Sequence, residues 1–138
     1  MANYDTLKAG FASLLNALGL YESSKIVDFT NAPASEYGNR YILKCLEGEN
    51  IENTIIDRFE DQQIWQILIA FDRSEHNDII KYDEANRAKD AIIKAFDKPS
   101  NWSSFVKICK YNSWAVIDTP NYFVIDIRLL VVDEYNHG

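Results

Sequence analysis

The chain has 138 residues, an apolar fraction of 47% and a formal net charge of −7 at pH 7. This length and apolar content predict one folded domain, residues 1–138, with its own core, and exclude a disordered chain. The acidic balance repels phosphate backbones, so it argues against general nucleic-acid binding and suits a basic partner. Met1–Asp5 lacks the pattern of a secretion signal, and no apolar run is long enough for a membrane span, so we expect no membrane contact.

The first predicted element is a helix that starts at Asn3 or Asp5 and ends at Leu18. Its apolar residues recur at helical spacing, which gives the helix one apolar face: Leu7, Phe11, Leu14, Leu15 and Leu18. Gly19 follows and tolerates the left-handed conformation that ends many helices.

The middle of the chain predicts strands. A short strand is expected at Ile26–Phe29, and a longer one at Asn39–Glu47, where apolar and polar residues alternate. The polar residues Gly48–Asn50 predict a turn. A hairpin is expected next, from Asn53–Glu60 and Gln62–Asp72, and the second of these runs is apolar on both faces, which is typical of a central strand.

A second helix is predicted at about Ile79–Phe96, followed by a long hairpin from Ser104–Asp118 and Asn121–Glu134. The last strand has one unbroken apolar face, formed by Phe123, Ile125, Ile127, Leu129 and Val131. Its other face mixes apolar and charged residues. The register of this hairpin stays open, because two-residue and three-residue turns present opposite faces of the first strand. Residues 135–138 are expected to fray.

The predicted fold class is therefore α+β: a mixed or antiparallel sheet with two helices packed on one face and a long C-terminal β-hairpin. Each strand of that hairpin exceeds the usual strand length of about 5–6 residues. Excess strand length together with a mixed face favours contact with another chain.

No catalytic, cofactor-binding or metal site is predicted, and we expect no enzyme. The sequence has no glycine-rich phosphate loop, CxxC or HExxH motif. His76 lies near Asp72 and Asp78, and a polar loop with a helix cap explains it better than a metal site. Cys45 and Cys109 lie in apolar alternation, so we expect both to be buried thiols.

Charged and aromatic residues supply the candidate contact sites. Asp126 and Arg128 share one strand face, where they form a local solvated pair, pair with a neighbouring strand, or contact a partner subunit. Among the tryptophans, Trp65 is expected in the core and Trp102, in a loop, is the best exposed candidate anchor, with Trp114 as a further one. The predicted subunit-interface residues are Arg128, Asp126, Tyr122, Trp102, Arg73 and Arg40.

The layout suggests a family. A proline-containing loop at Asn31–Ser35 leads into the Arg-aromatic strand Arg40–Leu43, and the apolar run Gln63–Phe71 precedes a polar turn and an alanine-rich helix. In this order of elements, over residues 4–134, the chain resembles the tail terminator (tail completion) proteins of tailed bacteriophages.

The resemblance implies a structural subunit of the virion, assembled in the host cytoplasm. Such a subunit would form a homo-oligomeric ring, typically a hexamer, that ends the tail tube and joins it to the head connector. Its partners would be copies of itself, the tail tube and the head-connector proteins. DNA would pass through without specific binding, which agrees with the acidic charge. No catalytic residues come with the resemblance.

Two other classes share these features. An acidic immunity or inhibitor protein that binds a basic toxin has the same size, charge and lack of motifs. A small enzyme or ligand-binding domain would need a pocket with convergent polar groups.

Overall fold

Two helices lie on one face of a five-stranded sheet in the computed structural model, which describes residues 4–51, 58–73, 76 and 78–136. In chain order the elements are α1 (Tyr4–Ala17), β1 (Tyr21–Glu22), β2 (Arg40–Ile51), β3 (Arg58–Asp72), α2 (Asp78–Phe96), a 3-10 turn (Pro99–Asn101), β4 (Ile108–Asp118) and β5 (Tyr122–Asn136). The α+β class expected from the sequence, including the two helices and the long C-terminal hairpin, is confirmed.

The strand order across the sheet is β1-β2-β3-β5-β4. The short β1 pairs in parallel with the start of β2, and the other neighbours are antiparallel. Strands β3 and β5 lie in the centre because both carry apolar residues on both faces. The sheet therefore ends in β4 at one side, and in β1 and the uncovered part of β2 at the other.

The face that carries the helices, called the front face, holds the main core. α1 buries Leu7, Phe11 and Leu15 against it, and α2 buries residues at helical spacing. Trp65 on β3 is fully buried and contacts the ring of Phe11 edge-on at 5.2 Å between ring centroids, so its predicted core position is confirmed. The sheet contributes the large buried residues Tyr41, Trp65, Ile67, Ile69, Ile125, Ile127 and Leu129.

The opposite, rear face is covered at one end by residues 23–37, called the strap. Tyr122 on β5 is fully buried beneath the strap. Its hydroxyl accepts backbone N–H groups from Glu36 at 3.2 Å and Tyr37 at 3.1 Å, and it donates to the Pro33 carbonyl. Because one buried hydroxyl holds three backbone groups, the strap is fixed to the sheet without forming a strand of its own.

The short strand predicted at Ile26–Phe29 does not form. The Asp28 carboxylate accepts the backbone N–H of Thr30 at 3.0 Å and the side-chain amide of Asn31 at 2.8 Å. Such local side-chain bonds stabilise a turn and compete with strand pairing. The strand of this region is β1 instead, five residues earlier in the chain.

The turn predicted at Gly48–Asn50 is also wrong, because β2 continues through it to Ile51. A register shift between Cys45 and Glu47 places Leu46 as an extra residue, and the ladder then resumes against β3. β3 is unbroken from Arg58 to Asp72, so the predicted hairpin Asn53–Glu60 with Gln62–Asp72 is replaced by one of β2 with β3. Residues 53–57 of that prediction lie outside the described residues.

The final hairpin differs from its prediction at both ends. β4 begins at Ile108 rather than at Ser104, and β5 continues to Asn136, past its expected end at Glu134. Thr119 fixes the register that the sequence left open. Its hydroxyl donates to the carbonyl of Tyr122 at 2.9 Å and accepts the Tyr122 N–H at 3.0 Å.

Replacing Tyr122 with phenylalanine tests the role of the strap anchor. Tyr122→Phe removes the hydroxyl while keeping the ring, so backbone groups of the strap lose their partner. We expect the free energy of unfolding to fall by about 1–2 kcal/mol, measured by urea denaturation.

The matched control is Tyr111→Phe. The hydroxyl of Tyr111 makes no hydrogen bond to a described residue, and the expected change is within about 0.5 kcal/mol. Equal stability of the Tyr122→Phe variant and the parent chain would contradict the anchoring role.

Candidate subunit interface

β4 presents a free strand edge of 11 residues. It pairs with β5 on one side, and no described segment pairs with the other. The Thr119 N–H donates to the Tyr122 carbonyl at 2.8 Å, and ladder bonds of an antiparallel pair recur at every second residue. The N–H groups of Trp114 and Val116 therefore point outward, away from β5. Such an edge is a template for another strand.

Trp114 is the tryptophan that the fold leaves exposed, at 45% of its surface. The Lys89 ammonium lies 3.9 Å from its ring centroid, and this buried lysine also contacts the Asp90 carboxylate at 3.1 Å. The cation–π contact holds the indole against α2 beside the free edge. Trp114 is thus a half-exposed aromatic side chain held in place at the edge of the sheet.

Trp102 is buried, which differs from its expected exposure. The 3-10 turn at Pro99–Asn101 folds the loop back onto the end of α2, where the Trp102 indole N–H donates to the Phe96 carbonyl at 3.0 Å. The loop composition gave no indication of this contact, because the partner is a carbonyl at a helix end. Trp102 is therefore an internal anchor and not an exposed one.

The second free edge belongs to β2. β1 pairs only with Arg40 and Tyr41, and the Tyr41 carbonyl then accepts the Ser23 N–H at 2.9 Å. Because outward-facing groups recur at every second residue, the N–H groups of Leu43 and Cys45 also point outward. From Leu43 onward, no described strand covers this edge.

The uncovered part of β2 ends in acidic residues. Glu47 and Glu49 are exposed, and Leu46 at the bulge exposes 41% of its surface. Cys45 is exposed as well, so its predicted burial is wrong. The residue lies in the strand as expected, but β2 is an edge strand there and no described strand lies outside it.

Below the strap, the rear face carries the predicted Asp126–Arg128 pair. The Asp126 carboxylate lies 3.7 Å from the Arg128 guanidinium and accepts the Gln66 side-chain amide at 3.1 Å. The other oxygen of Asp126 is buried without a hydrogen-bond partner among the described residues. Arg128 keeps 44% of its side chain exposed, so the pair is a local one with a cation still open to solvent.

The remaining predicted contact residues lie at the upper end of the sheet, the end that the strap covers. Arg73 donates to the Thr119 carbonyl at 2.9 Å and pairs with Asp78 at 2.7 Å, so it ties the start of α2 to the final hairpin. Arg40 is exposed and lies over the Tyr21 ring at 5.3 Å. Tyr122 is fully buried under the strap and is not available to a partner.

An open recess of about 370 Å³ lies beside the strap on the rear face. Its walls are mostly aliphatic and aromatic, from Val27, Phe29, Leu68 and Val124, with Lys44 at the side. The volume is at the small end of the range for ligand sites, about 300–1,000 Å³. Because its lining is mostly apolar, the recess suits an apolar side chain.

The two thiols are poorly suited to nucleophilic chemistry. Burial raises the pKa of Cys109 to about 12. Partial burial and the nearby Asp61 carboxylate also raise the pKa of Cys45. The reactive thiolate is therefore disfavoured at both positions near neutral pH. His76 is exposed, and the described residues contain no group of three metal-ligating side chains.

Comparisons with known proteins give little further information. No family model matches the chain. A stretch of 89 residues is 28% identical to the small ribosomal subunit biogenesis GTPase RsgA of Lactobacillus gasseri, covering 64% of this chain and 30% of that protein. The chain contains no GxxxxGK[ST] loop, the sequence with which P-loop proteins hold nucleotide phosphates, so the match brings no such site. None of the described helices is long and apolar enough to cross a membrane.

Thiol labelling tests the environments of the two cysteines. With a colorimetric disulfide reagent, Cys45 should react in the folded protein and Cys109 only after unfolding. Because the pKa of Cys45 is raised, its thiolate fraction at pH 7 is below that of an ordinary cysteine and increases with pH. We expect slower labelling than a free cysteine at pH 7–8, with the rate still rising above pH 9.

A Cys45→Ser variant should show no labelling in the folded state, which would assign the labelling of the parent chain to Cys45. Labelling at pH 7 faster than that of free cysteine would contradict this description and would indicate an activated thiol.

Proposed function

We propose that this chain is a structural subunit that associates with copies of itself into a closed ring at the tail or neck of a phage virion. There the ring would end the tail tube and join it to the head connector. The free edges at both sides of one sheet carry the self-association part of this proposal. The phage setting rests on the resemblance in element order and loop composition.

The free edges favour association on physical grounds. An uncovered strand leaves backbone donors and acceptors ready for pairing, and monomeric proteins usually keep such edges short or charged. Here the 11-residue β4 also exposes apolar side chains, with Ile108, Trp114 and Ile117 each more than 40% exposed. The two edges belong to different strands, so a joint between them is heterologous, and repeating it gives a ring or a filament.

The net charge of −7 fits a ring through which DNA passes. Acidic surfaces repel the phosphate backbone, so they disfavour binding along the duplex. The proposal needs no reaction at the subunit, and the raised pKa values of both thiols agree with such a role.

A second candidate function is an acidic immunity or inhibitor protein. Glu47 and Glu49 lie on the rear face at the lower end of β2, the end away from the strap, where a basic partner could bind. This reading requires a monomer or dimer that forms a tight complex with a cationic protein, whereas the ring requires higher self-association.

Absolute mass in solution separates the two candidates. Light scattering after size exclusion, combined with negative-stain images, should show closed rings, with a hexamer expected from the resemblance. A mass of one or two subunits at the highest soluble concentration, without rings beside tail tubes, would contradict the proposed function.

Arg128→Glu tests whether the open part of the rear face takes part in assembly. The reversal places a carboxylate beside Asp126 at a half-exposed position, so it should lower the melting temperature only slightly. We expect the ring population to fall much more than the thermal stability.

Arg87→Glu is the matched control, because it makes the same charge change at an exposed position on α2. It should leave assembly unchanged. If the Arg128→Glu variant lost enough thermal stability to explain all of its loss of assembly, Arg128 would be a structural residue of the subunit and not an interface residue.

A further inference from the structure

The register places opposite charges at the two edges of one cross-strand row. Glu47 on β2 pairs with Ile64 on β3, Ile64 pairs with Leu130 on β5, and Leu130 pairs with Lys110 on β4. All four side chains lie on the rear face, as do Gln66 and Arg128 in the next row. One row across the sheet thus begins with a carboxylate and ends with an ammonium group.

Both charges are available to a partner. Lys110 and Glu47 are exposed, and neither makes an ion pair with any residue in the described part of the chain. The next row toward the lower end runs from Glu49 through Gln62 and Val132 to Ile108, so the acidic edge extends over two rows.

We propose that the lower half of β4 in one copy pairs antiparallel with the free edge of β2 in the next copy, with Lys110 beside Glu47. Neighbouring strands lie about 4.8 Å apart, so directly opposed side chains reach each other across the joint. Opposite charges on directly facing residues stabilise a strand pair. This joint rests on the proposed function and specifies which surfaces meet.

The strand directions allow this pairing. β2 and β5 run the same way, and β4 runs opposite to both, so a copy in the same orientation presents its β4 antiparallel to β2. The sheet then continues from one copy to the next with antiparallel pairing, as in β2–β3 and β4–β5. Each copy has both a free β4 edge and a free β2 edge among its described residues, so a second copy supplies the complementary edge.

β1 limits the joint to the lower part of the sheet. It occupies the β2 edge at Arg40 and Tyr41, so an added strand has room from Lys44 toward Glu49. The matching part of β4 runs from Ile108 to the register shift between Tyr111 and Ser113. That irregularity lies where the added strand must turn away from β1.

Exposed apolar side chains add contact along the same half. Leu46 projects at the β2 bulge and Ile108 begins β4, and each is more than 40% exposed. Burying them between subunits removes apolar area from water, while the charge pair sets the partner and the register.

Charge reversal tests the joint. Lys110→Glu and Glu47→Lys each place like charges across it, and we expect each variant alone to need about tenfold more protein for half-assembly. An equimolar mixture of the two variants should assemble at the same protein concentration as the parent chain. When the two variants alternate, every contact joins one to the other, and opposite charges face each other there.

The double variant Lys110→Glu with Glu47→Lys should also recover assembly. Lys94→Glu, on the exposed surface of α2, is the control for added negative charge and should assemble like the parent chain. Melting temperatures near that of the parent would show that the single variants fold.

Cross-linking gives a second measurement. In a Cys45→Ser background, Lys110→Cys combined with Glu47→Cys should give disulfide-linked multimers on oxidation, since directly opposed strand residues lie within disulfide distance. Lys110→Cys combined with Lys94→Cys should not.

The outcomes separate the joint from the ring. The proposed pairing would be overturned, and the ring retained, if the parent chain formed rings and neither charge reversal affected assembly. The same conclusion would follow if mixing the two variants failed to restore assembly. A parent chain that stays monomeric would overturn the proposed function and the joint together.

Discussion

One constraint governs this sheet: the backbone N–H and C=O groups of each strand must find hydrogen-bond partners. Among the described residues, β3 and β5 satisfy theirs from both sides, while β4 and most of β2 do so from one side only. Because β1 covers just two residues of β2, this described part of the chain does not close the sheet. Water can satisfy these groups in a monomer, but a second strand satisfies them while also burying the exposed apolar residues beside them.

The two faces of the sheet are covered to different extents. The front face is closed by α1 and α2, and its largest residues are fully buried. Among the described residues, the rear face is covered by the strap, through an aromatic group of Phe29, Tyr37 and Tyr122. Below it, Arg128 stays accessible, with 44% of its side chain exposed. The free strand edges adjoin the part of the rear face that the strap leaves uncovered, so one contact between subunits can involve both.

Long periodic elements could be predicted from the sequence because their own side chains specify them, as Leu7, Phe11 and Leu15 do for α1. Features set by distant partners could not. β2 passes through Gly48 because an unbroken β3 lies beside it, and Trp102 is buried by the end of a helix. At the candidate interface, the shared face of Asp126 and Arg128 followed from strand alternation. The Glu47–Lys110 row did not, because it depends on three registers and two bulges.

Hydrogen exchange of backbone amides tests the central claim most directly. Exchange should be compared by mass spectrometry between dilute and assembled protein. The account predicts that peptides covering β4 and the uncovered half of β2 gain strong protection on assembly, while peptides from the exposed surface of α2 do not. Assembly without new protection at either strand edge, or with protection confined to the helices, would contradict it.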